Sequence, residues 1–258
     1  MTQEARLDYL LRALLEEAGR GGEPLPAGYA GRRRLLRGLM NLRPPEPIAP
    51  ALLEAQDALL QAELAQAELI DAAALPLAGR DPRLALWRGD ITRLRCGAIV
   101  NAANSALLGC FHPCHGCIDN AIHSAAGIQL RLACHALMQE QGHEEPPGRA
   151  KLTPGFNLPA RYVLHTVGPI VDGPLTGEHR ALLASCYRAC LAAAEGAGVD
   201  SVAFCCISTG VYRFPRRAAA QIAVDTVLEA LEGCRAVKQV IFNVFLEEDY
   251  GIYRDLLR

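Results

Sequence analysis

Eleven consecutive residues, Cys110-Phe111-His112-Pro113-Cys114-His115-Gly116-Cys117-Ile118-Asp119-Asn120, hold three cysteines, two histidines, a carboxylate and an amide. Thiolate sulfur and imidazole nitrogen are the donors that zinc prefers. Cys110, His115 and Cys117 would supply three such donors and leave a fourth coordination position open. An open position separates a catalytic zinc from a structural one. The donors run straight into Asp119 and Asn120, so metal chemistry and substrate binding can share one segment. Cys114 is an alternative donor. Pro113-Cys114-His115-Gly116-Cys117 also matches the P-C-x-x-C half of zinc deaminases, which need an H-x-E segment upstream. No histidine precedes His112, and His143-Glu144-Glu145 lies downstream, so the deaminase pattern is incomplete. A metal-free cluster of reactive thiols is the remaining reading.

Other chemistry-bearing residues lie at points where an apolar run ends. Gly89-Asp90-Ile91 follows Leu84–Trp87. Its carboxylate can accept a hydrogen bond from a ligand or serve as a turn cap. Asn101-Ala102-Ala103-Asn104 follows Ala98–Val100 and sets two amides around two small residues, a pattern that fits a ribose hydroxyl or a turn. Ser208-Thr209-Gly210-Val211-Tyr212 leads into Arg213-Phe214-Pro215. A glycine there lets backbone N–H groups approach a phosphate. It is neither a Walker loop nor a G-x-G-x-x-G loop. His123 follows Asp119 by four residues, on the same helical side, and reads as a hydrogen-bonded structural histidine.

The elements that position these residues follow from periodicity. Residues 84–258 alternate apolar runs (84–87, 98–100, 162–167, 201–207, 239–245) with helical stretches near 118–141, 178–197 and 215–232. That alternation predicts an α/β layer fold with a mostly parallel or mixed sheet, and ligands then sit at the carboxyl ends of the strands. Residues 1–80 read as helical, with Leu7, Leu10, Leu11, Leu14 and Leu15 on one face. Arg32, Arg33, Arg34 and Arg37 read as a solvated face paired with nearby glutamates.

Composition narrows the class. The chain has 258 residues, 51% apolar, with a formal charge of −2. That balance does not argue for nucleic acid or an anionic membrane. No uncharged apolar run of eighteen residues appears, and Glu4, Asp8, Glu16 and Glu17 spoil any signal-peptide reading of the start. A soluble, cytoplasmic protein is expected. The cysteines outside 110–117 sit in strand-like or Ala-rich text and read as reduced, buried thiols.

Taken in order, Trp87–Thr92, Ala98–Asn104, Asp119–His123 with Ala125-Ala126-Gly127, His165–Pro169 and Ile207–Tyr212 resemble the macrodomain, an ADP-ribose-binding module. The resemblance implies a three-layer α/β/α macrodomain with a mixed central sheet over residues 81–258, behind a helical N-terminal extension over 1–80. Where ordinary macrodomain hydrolases carry a glycine-rich loop, this chain has Cys110…His115-Gly116-Cys117. It is thereby similar to the microbial zinc-containing subclass of protein-ADP-ribose hydrolases. Arg37-Gly38-Leu39…Arg43-Pro44 resembles a stretch of that subclass's extension.

The resemblance further implies roles. Asp90 would hold the adenine amine, with the Ile91 backbone beside it. Asn101 and Asn104 would sit in the ribose loop, and Asn104 would face the distal ribose. Cys110, His115 and Cys117 would bind Zn2+. Cys117, Ile118, Asp119 and Asn120 would border the diphosphate and distal ribose, with Asn104 and Asp119 as catalytic residues. Ser208, Thr209, Gly210, Val211 and Tyr212 would wrap the phosphates. The implied reaction is zinc-dependent removal of mono-ADP-ribose from protein side chains. A non-catalytic ADP-ribose reader and an O-acetyl-ADP-ribose deacetylase are the alternatives. The subclass is associated with a sirtuin-type ADP-ribosyltransferase and a lipoyl-carrier-like target.

Overall fold

The computed structural model describes residues 1–258. The chain begins with three helices, α1 (Gln3–Glu17), α2 (Gly28–Leu42) and α3 (Pro50–Ala65). Thr2 caps α1 through the Ala5 N–H, and Pro50 opens α3 where a missing N–H costs nothing. Leu7, Leu10, Leu11, Leu14 and Leu15 are at most 3% exposed and pack with Leu36, Leu39, Leu52 and Leu59. This small core reaches the rest of the protein through Ile128.

The body continues with β1 (Ile70–Asp71), β2 (Leu84–Arg88), β3 (Leu94–Arg95), β4 (Ala98–Ala103), α4 (Ile118–Ala126), α5 (Ile128–Gln141), β5 (Ala150–Pro154) and β6 (Tyr162–Val167). It ends with α6 (Gly177–Gly196), β7 (Ser201–Phe204), α7 (Arg216–Leu231), β8 (Gln239–Val244) and α8 (Glu247–Leu256). Six strands form one sheet in the order β2-β8-β7-β4-β6-β5, all parallel except β5. The inner strands are buried along most of their length, as expected when helices cover both faces. No helix is long and apolar enough to cross a membrane.

Four departures from the sequence reading have local causes. The helical stretch 118–141 breaks at Gly127, whose φ is +97°. A Cβ there would lie 2.5 Å from the Gln56 amide of α3, which inserts to accept the Ile128 N–H at 2.9 Å. The edge strand β5 is absent from the prediction because Lys151, Thr153 and Pro154 dilute its apolar signal. Helix α8 is missing for a similar reason: it opens on Glu247-Glu248-Asp249, which read as a polar tail. The last is the apolar run 201–207, which ends as a strand at Phe204, because Cys205-Cys206-Ile207 already bend into the following loop. At the other end of the extension, β1 pairs with β3, and Leu77 bridges Ala85. Residues 70–78 therefore pack with the α/β body, while residues 3–65 make the helical cap.

Candidate functional site

The carboxyl ends of β2, β4, β6, β7 and β8 converge on a cleft of about 820 Å³. That size suits a ligand of nucleotide dimensions. Asp90, Ile91, Asn104, Cys110, His115, Cys117, Ile118, Asp119 and Ser208–Tyr212 all line it. Residues more than a hundred positions apart meet because successive parallel strands deliver their loops to the same edge.

Cys110, His115 and Cys117 offer Sγ, a ring nitrogen and Sγ, all within 4.8 Å of one another. The Cys110 Sγ to His115 Nδ1 separation is 3.5 Å. Cys114, the alternative donor, points elsewhere: its φ is +55° and its Sγ lies 3.4 Å from the Arg34 carbonyl of α2. Two thiols and one imidazole, partly exposed at the mouth of a cleft, fit a divalent zinc with a position left for another oxygen.

Cys117 also caps α4, its Sγ accepting the Asn120 N–H at 3.4 Å. That places Asp119 in the first helical turn, where the helix dipole favours an anion. Asp119 is nevertheless 5% exposed. Burial pushes its carboxyl up to about 6, against the pull of the Asn101 hydrogen bond and the Arg131 charge. That upward shift makes it a better proton acceptor than an exposed aspartate.

Asn101 and Asn120 do not reach the cleft wall; both are fully buried one layer behind it. There each makes a supporting contact behind the wall. Asn101 Nδ2 donates to Asp119 Oδ1 at 2.8 Å and lies 3.2 Å from His165 Nδ1, its register partner across β4 and β6. Asn104 is on the wall. Its Oδ1 accepts the Ala106 N–H at 3.1 Å and its Nδ2 donates to the Gly109 carbonyl, so it shapes the entry to the donor loop.

His123 is buried with neither ring nitrogen hydrogen-bonded, its Nε2 3.5 Å from Asp119 Oδ1. It therefore lacks the hydrogen bond expected of a structural histidine. Burial, then the neighbouring His165 and Arg131, hold its pKa well below the ordinary value, so the ring is neutral. His123, Cys134 and His165 also cluster. Thr153 Oγ1 meets His165 Nε2 at 2.9 Å, so the His165 ring is already engaged on both nitrogens and the group reads as a polar core.

On the opposite wall, Ser208 has φ +64° and Arg213 φ +56°. The loop closes on itself through Phe214 N–H to the Ser208 carbonyl at 2.9 Å. The N–H groups of Gly210, Val211 and Tyr212 have no backbone acceptor and remain available to donate to a ligand in the cleft. Gly168 makes this loop possible: a Cβ there would lie 2.0 Å from Ser208 Oγ.

At the far end, Asp90 Oδ1 accepts from the Thr92 N–H at 3.0 Å and from Thr92 Oγ1 at 2.7 Å, leaving Oδ2 free to accept from a ligand. Asn243, Phe245, Leu246, Arg216 and Asp249 complete that end and were not anticipated from sequence. Phe245 is 75% exposed at the end of β8. The same strand-end rule that selects 89–91 and 208–214 applies to it. Arg37 was also missed. Arg32 pairs with Asp8 at 2.7 Å and Arg33 with Glu63 at 2.8 Å, as a solvated face should. Arg37 instead turns inward and lines the cleft.

Comparison with known proteins accords with this geometry. A family description, Macro domain, matches residues 100–223. The chain is 50% identical over its full length to a Protein-ADP-ribose hydrolase of Treponema medium, covering 100% of both chains. It is 42% identical to a Protein-ADP-ribose hydrolase of Staphylococcus aureus strain MSSA476, covering 98% of this chain and 96% of that one. Among solved structures, a Trypanosoma brucei macrodomain in complex with ADP-ribose superposes with a TM-score of 0.68. It is 32% identical, over 86% of this chain and 95% of that one. An Oceanobacillus iheyensis macrodomain with ADP gives 0.60 at 40% identity, over 67% of this chain and 88% of that one.

Proposed function

Because this chain belongs to the macrodomain family, we propose that it is a protein-ADP-ribose hydrolase whose activity depends on zinc held by Cys110, His115 and Cys117. One observation carries the reading: a metal-donor triad and a buried Asp119 in the first turn of α4 face the same cleft as the unpaired backbone N–H groups of Gly210, Val211 and Tyr212. A module that only bound ADP-ribose would need those N–H groups and not the triad.

The chain's own groups divide the work. The free Oδ2 of Asp90 accepts from the adenine amine, and the exposed Phe245 ring offers a face on which a purine stacks. The N–H groups of Gly210, Val211 and Tyr212, with the amino end of α4, hold the diphosphate. That fixes the distal ribose between Asn104 and Asp119. Asn104 orients the sugar, while Asp119, held by Asn101, takes a proton from the attacking water. The bond between ribose and side chain breaks; the water's hydroxyl joins one fragment and its proton reaches the other. A zinc bound by the triad would supply Lewis acidity to an oxygen beside the reacting centre.

The deciding experiment is release of ADP-ribose from mono-ADP-ribosylated protein, before and after removal of metal by a chelator. Release should disappear with zinc and return when zinc is restored. Unchanged release after verified zinc loss would leave Asn104 and Asp119 as the catalytic groups and make any metal structural. Absence of release from every modified protein tried, with ADP-ribose still bound, would make the protein a reader.

The donor assignment has its own test. Cys117→Ala should purify without stoichiometric zinc and lose turnover, whereas Cys114→Ala should keep both, as read by elemental analysis and the release assay. Retention of zinc and turnover by Cys117→Ala would refute the triad.

A further inference from the structure

The donor segment is poorly held by its own body. Cys110 and Cys117 are half-buried and His115 is exposed, so packing does not fix them. Within residues 110–117 the only backbone hydrogen bond runs from the His115 N–H to the His112 carbonyl, at 3.2 Å. A metal site of this kind needs its ligands pre-positioned, and the groups that do so are usually hydrogen-bonded just behind them.

Here those groups come from α2 of the N-terminal extension. Arg37 Nε and Nη2 both donate to Asn120 Oδ1, at 3.1 and 2.7 Å, and Nη2 also reaches the His115 carbonyl at 3.3 Å. Asn120 in turn donates from Nδ2 to the His112 carbonyl at 2.9 Å. One guanidinium therefore governs two carbonyls of the segment, one directly and one through Asn120. A turn later on the same helix, Asn41 Oδ1 accepts the Cys114 N–H at 2.9 Å, while its Nδ2 donates to Ser124 Oγ of α4 at 3.0 Å. Between them Gly38 lies flat against the loop; a Cβ there would sit 3.7 Å from Pro113 Cβ. Arg37 has the rigid planar fork that such a task requires, which a lysine lacks.

We propose that Arg37 is a positioning residue for the hydrolytic site, supplied in cis by the N-terminal extension, which orients His115 and Asn120 and so sets the geometry of the donor triad beside Asp119. This rests on the zinc-hydrolase reading above. The hydrogen bonds of the Arg37 side chain go to Asn120 and to the His115 carbonyl, and none goes to the strand-end loops at 89–91 and 208–214. It therefore acts on metal affinity and on turnover, and leaves the nucleotide alone.

The test compares full-length wild type with Arg37→Met, which keeps the aliphatic stem but no donor, Arg37→Lys, and Arg34→Ala as a control one turn away. Zinc affinity is read by competition with a chromophoric chelator, ADP-ribose affinity by calorimetry on metal-free protein, and kcat and KM in zinc-saturated release assays. Arg37→Met should weaken zinc binding by about 10- to 100-fold and lower kcat by at least about tenfold. Its KM and ADP-ribose affinity should not move, and its melting temperature should fall only slightly, for the two bonds lost at buried Asn120. Arg37→Lys should fall between, and Arg34→Ala should match wild type.

Wild-type zinc affinity and kcat in Arg37→Met would overturn the proposal. So would a joint loss of zinc binding, ADP-ribose binding and thermal stability, which would mark a purely structural arginine. A wild-type protein that releases ADP-ribose without binding zinc would instead refute the zinc reading beneath it, and a failure of the two is thereby told apart.

Discussion

Asp119→Asn should lower the rate of ADP-ribose release by about 10²- to 10⁴-fold while leaving ADP-ribose affinity unchanged. The two side chains are isosteric. Asparagine keeps an oxygen in place for the Asn101 amide, 2.8 Å away, but it cannot take a proton from water. Asp119 is almost wholly buried, and a buried carboxylate is costly to hold ionised. The variant should therefore melt at the same temperature as wild type or higher. Single-turnover release and calorimetry on one preparation separate the effects. A rate within about tenfold of wild type would remove Asp119 from the proton-transfer role. A matching loss of ADP-ribose affinity would make it a binding residue only.

A chain that begins at Asp81 should lose zinc binding, turnover and much of its stability. The first two losses follow from Arg37 and Asn41, whose bonds hold His115, Cys114 and the Asn120 amide that in turn holds His112. The third follows from what the extension covers. Arg131 is 5% exposed and donates to the carbonyls of Met40 and Arg43; without the extension only the Leu108 carbonyl remains. Gln56 and Gln61 likewise satisfy Ile128, Gln129 and Asn157. Each bond lost in this way is worth about 0.5–1.5 kcal/mol net, since water replaces the departed partner, and the buried face of Ile128 is uncovered as well, against a total stability of about 5–15 kcal/mol for a typical domain. Thermal melting, zinc content and release assays on the shortened chain check this. A soluble, fully active protein starting at Asp81 would show that the extension is dispensable and would contradict the role assigned to Arg37.

Much of this site was legible before any coordinates. Cys110, His115 and Cys117 stand out because three metal-preferring donors within eight residues are rare by chance, and the structure gathers them. Asp90, Asn104 and Ser208–Tyr212 stand out because each breaks an apolar run at a strand end, and the parallel sheet brings every such end to one edge. Asn101 and Asn120 were harder. An amide in the right loop does not reveal whether it faces the cleft or backs it. Asn101 lies two residues back from the end of β4, where its amide is taken up by Asp119 and by His165, its register partner on β6. Phe245 and Asn243 escaped notice because β8 reads as an ordinary apolar strand whose last residues carry no unusual chemistry.

Local chemistry alone determined the α/β class of the fold. Hydrophobic period separates strand from helix, turn residues mark the strand ends, and clustered thiols and imidazoles point to a candidate metal site, all within windows of about ten residues. The tertiary structure decided what those windows cannot contain. Arg32, Arg33 and Arg37 are the same residue type on one short helix, and nothing in that stretch says which will find a glutamate and which will not. Packing of α2 across α4 answers it. Arg37 lands beside Asn120, eighty-three positions later in the chain, because the leucine face of α1 and the Gln56 insertion at Gly127 fix the angle at which the extension docks. Long-range hydrogen-bond partners are set by that docking, and docking depends on the summed shape of two cores rather than on any short run of sequence.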